Sequence, residues 1–243
     1  VVLDNTLELD IGNSRVKWRT LSGECGITQN NELSIFCEKD FGALKRIKIA
    51  SVANDKIKLQ ISSALEKKYQ IKPELAVSQL GCAGFVNKYE NPNSLGVDRW
   101  LACLAAWMES GKKAVLVVDA GSAITIDTVN ERSEFVGGYI IPGLEMMQAA
   151  LVGDTGQIVC DIATRFRSDC DLLPLSTQEA VQRGACFAAL AAVERAVRLF
   201  LQQWPSGRVF FTGGAGLELA RAVAMEETYR PDLVLDGLAI ALP

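Results

Sequence analysis

Apolar and polar positions follow two different periods along this chain, and together they predict a mixture of strands and helices. Short apolar runs are typical of buried strands, whereas apolar residues spaced three and four positions apart predict amphipathic helices. The stretch 81–95, rich in glycine and asparagine, has no regular pattern. The pattern predicts strands over 7–29, 47–52, 73–77, 114–129, 134–141, 208–212 and 232–235, and helices over 56–69, 98–110, 144–151, 177–204 and 217–225.

The segment 114–129 contains a candidate ligand-binding turn. An apolar run ends in Asp119-Ala120-Gly121-Ser122 and a second β-rich run follows, so the segment predicts a hairpin. Small residues let a ligand approach the backbone closely, and the exposed N–H groups of such a turn suit a phosphate. Asp119 would hold a cation or a water beside that phosphate. The alternative is an ordinary hairpin turn in which the aspartate is only a turn residue.

A second segment near the N-terminus repeats the order of strand, Asp-x-Gly turn and strand. Its turn contains Asp10-Ile11-Gly12, and Lys17 lies on the strand that follows. One such segment in each half of the chain indicates two related domains facing one nucleotide. We place the domains at 1–112 and 113–243. Lys17 either reaches back to a phosphate or is a solvated strand residue, and both interpretations stay open.

Two further segments carry candidate chemistry. In Gly96-Val97-Asp98-Arg99 the aspartate stands in the first turn of a predicted helix, where the helix dipole favours a carboxylate. Asp98 is therefore either a functional group or only a helix-start residue. Arg99 either binds a carboxylate through two parallel hydrogen bonds or forms a surface salt bridge. The turn Gly213-Gly214 joins a strand to a helix, which suits a nucleotide, although glycines also simply turn chains.

Composition and charge exclude several classes of function. The chain has 243 residues, 49% of them hydrophobic, a net charge of −4 and a pI of about 5.1, so we expect neither a nucleic-acid nor a membrane partner. Histidine is absent, which excludes His-based triads and His-ligated metals. The seven cysteines form no C-x-x-C pair, no apolar run reaches transmembrane length, and charges interrupt 1–11. We therefore expect reduced cysteines, no signal peptide and a cytoplasmic location.

Several motifs in one order carry a specific resemblance. The segments Asp10-Ile11-Gly12-Asn13-Ser14, Gly96-Val97-Asp98-Arg99 and 119–127 together resemble type III pantothenate kinase, and 137–138, 142–143 and 212–214 are similar to later motifs of that family. The resemblance runs from about 7 to 236 and extends to the superfamily of acetate and sugar kinases, actin and heat-shock chaperone ATPases. It implies an α/β fold of two related ribonuclease-H-like domains, a duplicated actin-like ATPase fold, with the active site in the cleft between them.

The same resemblance implies phosphorylation of pantothenate by ATP, the first step of coenzyme A synthesis. It implies ATP with Mg²⁺, a monovalent cation (K⁺ or NH₄⁺) and a homodimer. Asp98 matches the general base of the family and Asp119 matches the ligand of the monovalent cation. The matched phosphate or ATP contacts are Asp10, Ile11, Gly12, Asn13, Ser14, Arg15, Val16, Lys17, Ser122, Gly213 and Gly214, and the matched pantothenate contacts are Tyr89, Gly96, Val97, Arg99 and Thr177.

Two other functions compete with the kinase. One is a non-catalytic relative that binds pantothenate or a nucleotide and acts through protein partners, which the intact Asp98 and both Asp-x-Gly turns disfavour. The other is an enzyme of the same superfamily that acts on a different small molecule. Release of ADP with pantothenate present separates the kinase from the first alternative, and a panel of hydroxylated acids separates it from the second.

Overall fold

The computed structural model describes residues 5–154, 160–163, 165–166 and 173–243. The chain divides into two compact units, 1–105 with 233–243, and 106–232. The C-terminal segment therefore belongs to the first unit, whereas the sequence-based division assigned it to the second domain. Its helix packs on two strands of the first unit, which explains this difference.

The described elements follow one another in this order. In 5–105 they are β1 Thr6–Ile11, β2 Arg15–Thr20, β3 Cys25–Gln29, α1 Leu33–Glu38, β4 Arg46–Ser51, α2 Asp55–Tyr69, β5 Glu74–Leu75, β6 Gly81–Cys82, β7 Phe85–Asn87 and the start of α3 Val97–Glu109. From 106 onward they are the end of α3, β8 Val115–Ala120, β9 Ala123–Val129, β10 Glu134–Pro142, α4 Leu144–Asp154, α5 Thr177–Gln203, β11 Arg208–Thr212, α6 Gly216–Ala222 and α7 Leu233–Ala241.

Both units contain a sheet with the same internal pattern. In the first unit the strand order is β3-β2-β1-β4-β5, in which β1, β2 and β3 are antiparallel and β4 runs parallel to β1. In the second unit the order β11-β8-β9-β10 repeats this, because β8, β9 and β10 are antiparallel and β11 runs parallel to β8. This repeated topology confirms the prediction of an α/β fold made of two related ribonuclease-H-like units.

Most of the predicted elements are confirmed near the predicted bounds. The helix predicted over 56–69 is α2, in which Ile61 and Leu65 are buried, and the Asn54 side chain caps it by accepting a hydrogen bond from the Ile57 N–H (3.0 Å). The strand predicted over 208–212 is β11. The stretch without a pattern contains the short hairpin β6–β7, in which Gly81 pairs with Val86.

One predicted element is wrong, because the strand predicted over 232–235 is the start of the helix α7. A short apolar run cannot be distinguished from a buried helix segment by its period alone. Gly237 lets this helix pack closely: a Cβ at this position would overlap the backbone of Leu101, so α7 approaches the N-terminal part of α3 closely.

A buried charge cluster ties α7 to the sheet of the first unit. Glu8 on β1 is fully buried (0% exposed) and accepts a hydrogen bond from the Arg19 Nε at 2.7 Å. Lys48 Nζ lies 3.6 Å from the Glu8 carboxylate, and an Arg19 amino group donates to Asp236 at 2.6 Å. Because a buried charge is costly without partners, the two buried members, Glu8 and Lys48, depend on this pairing.

We expect Glu8→Ala to destabilise the protein by about 3–5 kcal/mol, since it leaves the buried Lys48 without its carboxylate partner. Urea unfolding followed by tryptophan fluorescence measures this. Glu24→Ala is the matched control, because Glu24 is exposed and pairs only loosely with Lys39 (3.7 Å), and we expect no measurable change from it. Similar unfolding midpoints for the two variants would contradict the role of the cluster.

Candidate active site

The turn between β1 and β2 brings a carboxylate and an ammonium group together. The strand register pairs Asp10 with Lys17, so their side chains lie next to each other on one face of the hairpin. The Gly12 N–H donates to the Arg15 carbonyl (3.0 Å), which closes the turn 12–14 directly after the end of β1. The segment 10–17, which the sequence predicts to bind phosphate, is thus a tight hairpin. The charged pair Asp10 and Lys17 lies next to its turn.

Asn30 supports the turn 12–14 from outside the hairpin. Its side-chain Nδ2 donates to the carbonyls of Asn13 (2.7 Å) and Gly12 (3.2 Å). Its backbone N–H donates to the carbonyl of Ser14 (3.0 Å). One residue therefore binds three consecutive carbonyls of the turn. The sequence did not single out Asn30, since no local pattern connects it to a turn 16 or more residues away.

The turn between β8 and β9 has the same design in the second unit. Asp119 stands near the end of β8, opposite Thr125 on one side and Thr212 on the other. The Gly121 N–H donates to the Ala123 carbonyl (3.0 Å), so the chain turns tightly at 121–122. Hydrogen bonding along both edges of β8 fixes the position of the Asp119 backbone.

Two glycines lie directly against this second turn. The Gly143 N–H donates to the Ser122 carbonyl (3.1 Å), and a Cβ at Gly143 would lie 2.6 Å from the Gly121 carbonyl oxygen. Gly213 has a φ of +86°, and a Cβ there would overlap the Asp119 carboxylate and lie 2.6 Å from the Ala120 carbonyl oxygen. Because glycine has no Cβ, only glycine allows the close approach at position 143 and the close approach at position 213.

Tyr229 supports the glycine turn that follows β11. Its hydroxyl donates to the Gly213 carbonyl (3.3 Å). A Cβ at Gly216 would lie 3.2 Å from the Tyr229 ring, so the ring packs tightly against the start of α6. The Ala215 N–H also donates to the Ala120 carbonyl (3.0 Å), which links this turn to the end of β8. Tyr229 was not predicted as a site residue.

Asp98 is held at the start of α3 with its carboxylate turned back along the chain. Its Oδ1 accepts a hydrogen bond from the Arg99 N–H at 2.7 Å. A Cβ at Gly96 would lie 2.8 Å from this same oxygen, so glycine at 96 leaves room for the carboxylate. Burial raises the pKa of the Asp98 carboxyl, and the Arg99 N–H and charge only partly oppose this. A carboxylate with a raised pKa is suited to accept a proton.

Arg99 is buried, being only 7% exposed. Its guanidinium carbon lies 5.9 Å from the centre of the Tyr89 ring, within the range of a cation–π contact. The alternative that Arg99 forms a surface salt bridge is therefore wrong. A buried guanidinium next to an aromatic ring is suited to bind an anion such as a carboxylate.

Within each unit the structure brings a group of predicted residues together. Thr177 is exposed in the first turn of α5, after Ser176, whose side chain accepts the Glu179 N–H (3.3 Å). The first unit groups Tyr89, Gly96, Val97, Asp98 and Arg99 along one segment, and the second groups Asp119, Ser122, Gly213 and Gly214 around one turn.

Oxygen atoms around Asp119 fit a hard cation. Among the described residues, no group of three or more His, Cys, Asp or Glu side chains could hold a metal ion. The Asp119 carboxylate and the Ala120 carbonyl instead lie on the same side of Gly213, where a Cβ would meet both. One carboxylate and main-chain carbonyls are the donors that hard cations prefer. The Asp119 carboxylate and the Ala120 carbonyl are thus two donors of the kind that a hard cation takes.

Comparison with protein families places the chain among kinases. A family model described as type III pantothenate kinase matches residues 6–199. The type III pantothenate kinase of Nitrosococcus oceani is 32% identical over 247 residues, which cover 96% of this chain and 92% of the relative. That of Ectopseudomonas mendocina is 35% identical over 246 residues and covers 98% of both chains.

Solved structures share the fold at lower identity. A structure from Campylobacter jejuni described as a conserved Baf family transcriptional activator has a TM-score of 0.62 and 22% identity, covering 96% of this chain and 95% of that one. The ethanolamine utilization protein EutJ from Carboxydothermus hydrogenoformans has a TM-score of 0.51 and 11% identity, covering 100% and 90%. These likenesses show a common fold and carry no further conclusion about activity.

We expect Gly143→Ala to weaken ATP binding about tenfold or more, because its Cβ would displace the carbonyls of the turn 121–122. A tenfold loss corresponds to only ~1.4 kcal/mol, a small cost for moving a turn. Isothermal titration calorimetry with ATP measures the affinity. Gly184→Ala is the matched control, since a Cβ on that exposed position of α5 meets no atom within 4 Å. Unchanged ATP affinity in Gly143→Ala would contradict this account of the turn.

Proposed function

The chain belongs to the type III pantothenate kinase family, and we infer that it transfers a phosphoryl group from ATP to pantothenate in coenzyme A biosynthesis. The family match covers most of the chain, and the relatives align with it over nearly their full length. The observation that supports the chemistry best is the Asp98 carboxyl, whose pKa burial raises beside a buried arginine.

We propose that Asp98 orients the primary hydroxyl of pantothenate and accepts its proton. The hydroxyl oxygen forms a bond to the γ-phosphorus while the bond from that phosphorus to the bridging oxygen breaks, the hydroxyl proton passes to Asp98 late in this step, and ADP leaves. An alcohol is far less acidic than a carboxylic acid, so the proton moves late in this step. Positioning of the two reactants and neutralisation of the phosphates therefore contribute most of the rate enhancement.

Arg99 binds the carboxylate of pantothenate in this proposal. Its guanidinium is planar and always charged, so it offers two parallel N–H groups to a carboxylate. Tyr89, 5.9 Å from the guanidinium carbon, forms the neighbouring wall of the substrate site. Gly96 and Val97 complete this segment, and Thr177 is a further pantothenate contact near the interface of a homodimer.

The two Asp-x-Gly turns bind the phosphates of ATP. Backbone N–H groups at the turn of the segment 10–17 and the hydroxyl of Ser122 are the donors, and Gly213 and Gly214 allow the nucleotide to approach the chain. A carboxylate beside a phosphate is repelled unless a cation lies between them. Mg²⁺ bound with ATP, and K⁺ or NH₄⁺ at Asp119, supply that positive charge when present.

The cysteines, the helices and the net charge bear on the location and the partners of the protein. The described cysteines are free thiols, which supports a reducing compartment, and we propose the cytoplasm. No described helix combines the length and apolarity needed to cross a membrane. The net charge of −4 disfavours nucleic acid as a partner.

A coupled ADP-release assay with pantothenate tests the role of Asp98. We expect Asp98→Asn to lower kcat by about 10²-fold or more, the range for losing a general base. The variant keeps an oxygen that accepts the Arg99 N–H, so it should fold. ADP release by the parent protein without pantothenate dependence would overturn the substrate assignment, and near-normal turnover by folded Asp98→Asn would leave Asp98 as a helix-start residue.

Asp98→Asn should lower the activity but raise the stability of the folded protein. Because the folded protein raises the pKa of Asp98, its charged form opposes folding above the ordinary aspartate pKa of about 3.9. The contribution of protonated Asp98 to the free energy of unfolding is present at low pH. It is lost as the pH rises through the pKa that Asp98 has in the folded protein. We therefore expect Asp98→Asn to raise Tm at pH 7 and to match the parent at pH 3. A lower Tm at pH 7 would contradict the burial argument.

If Asp119 binds a monovalent cation, the steady-state rate should depend on which monovalent salt is added. We expect the parent rate to rise with K⁺ or NH₄⁺ and little with Na⁺ at constant ionic strength, and Asp119→Asn to lose this selectivity. Steady-state rates in the three chloride salts give the measurement. Equal parent rates in all three salts would count against the assignment.

A further inference from the structure

Asn87, the last residue of β7, is buried and fully bonded within its own segment. It is only 1% exposed. Its backbone N–H donates to the Leu80 carbonyl at 2.8 Å. Its side-chain Nδ2 donates to the Pro92 carbonyl at 3.1 Å, and its Oδ1 accepts the Tyr89 N–H at 3.0 Å. One side chain therefore joins the two ends of the loop that carries Tyr89.

The chemistry of these contacts requires an amide. One side-chain atom must donate to a carbonyl while the other accepts from an N–H, and a carboxylate only accepts. An apolar residue of similar size would leave both backbone groups without these bonds, which is costly in a buried place. The Asn87 amide thus satisfies both neighbouring backbone groups, which a residue that only fills the space would not do.

The loop shaped by Asn87 determines where the Tyr89 ring lies. That ring is in cation–π contact with the buried Arg99 guanidinium, at 5.9 Å. The far end of the segment is also fixed, because the buried Ser78 hydroxyl donates to the Leu95 carbonyl at 2.7 Å. With the segment held at Asn87 and at Leu95, the bond from the Tyr89 N–H to the Asn87 side chain is a contact that orients the Tyr89 backbone.

We propose that Asn87 is a positioning residue for pantothenate, acting through Tyr89. This rests on the proposed function, in which Tyr89 and Arg99 contact that substrate. Asn87 itself touches neither the reacting atoms nor the nucleotide turns of its own unit. Its loss should therefore weaken pantothenate binding and leave the KM for ATP unchanged.

A double-mutant cycle tests the proposal, with steady-state kinetics on the full chain. We expect Asn87→Ala to raise the KM for pantothenate about tenfold, and Tyr89→Ala to raise it at least as much. In the Tyr89→Ala background, Asn87→Ala should add less than about twofold. Asn87→Ser, whose hydroxyl retains an acceptor for the Tyr89 N–H, should recover part of the KM, and it replaces Asn87→Ala if that variant fails to fold.

Asn91→Ala is the matched control. Asn91 lies in the same loop and its Oδ1 also accepts a backbone N–H, that of Asn93 at 3.2 Å, but it is exposed and does not bond to Tyr89. We expect its KM for pantothenate to stay within about twofold of the parent value. A similar rise from Asn91→Ala would overturn the specific role of Asn87.

The remaining outcomes separate this inference from the proposed function. If both single substitutions raise the KM for pantothenate and their effects multiply, Asn87 does not act through Tyr89 and the inference fails while the substrate assignment stands. If Asn87→Ala raises the KM for ATP as much as the KM for pantothenate, Asn87 has only a general structural role and the inference fails. If the parent releases no ADP in response to pantothenate, the proposed function itself fails.

Discussion

Both halves of this protein depend on one constraint, the pairing of a central strand on both of its edges. β1 pairs with β2 and β4, and β8 pairs with β9 and β11. A strand bonded on both sides cannot slide without breaking two ladders, so the residue near its end is fixed in space. Asp10 and Asp119 stand at these ends, one residue before the strand finishes. The sheets therefore position the carboxylates before any side-chain contact is considered.

The contacts that support these two turns are made largely to backbone carbonyls. Asn30 binds three carbonyls of the first turn, and Gly143 and Gly213 lie against carbonyls of the second. A site made this way is sensitive to an added methyl group, because backbone cannot move aside as a flexible side chain can.

Sequence reasoning succeeded where a local pattern has a physical cause. The Asp-x-Gly hairpins, the helix α2 and the strand β11 follow from period, turn residues and capping, which are all local. It failed at α7, where an apolar run fits both a strand and a buried helix. It also failed at Asn30 and Tyr229, whose side-chain hydrogen bonds reach partners 16 or more residues away along the chain. The burial of Arg99 was equally hidden, since an arginine near a helix start is exposed in most proteins.

The neighbouring charges of Asp98 and Arg99 have a consequence for the order of events. The Arg99 N–H and charge lower the pKa of Asp98, and burial outweighs them in the free protein. If Arg99 binds the carboxylate of pantothenate, as we propose, that carboxylate partly neutralises the positive charge next to Asp98. The pKa of Asp98 then rises further, so the proposed base becomes stronger once the substrate is bound. Under this arrangement substrate binding and activation of the base are coupled through one buried arginine.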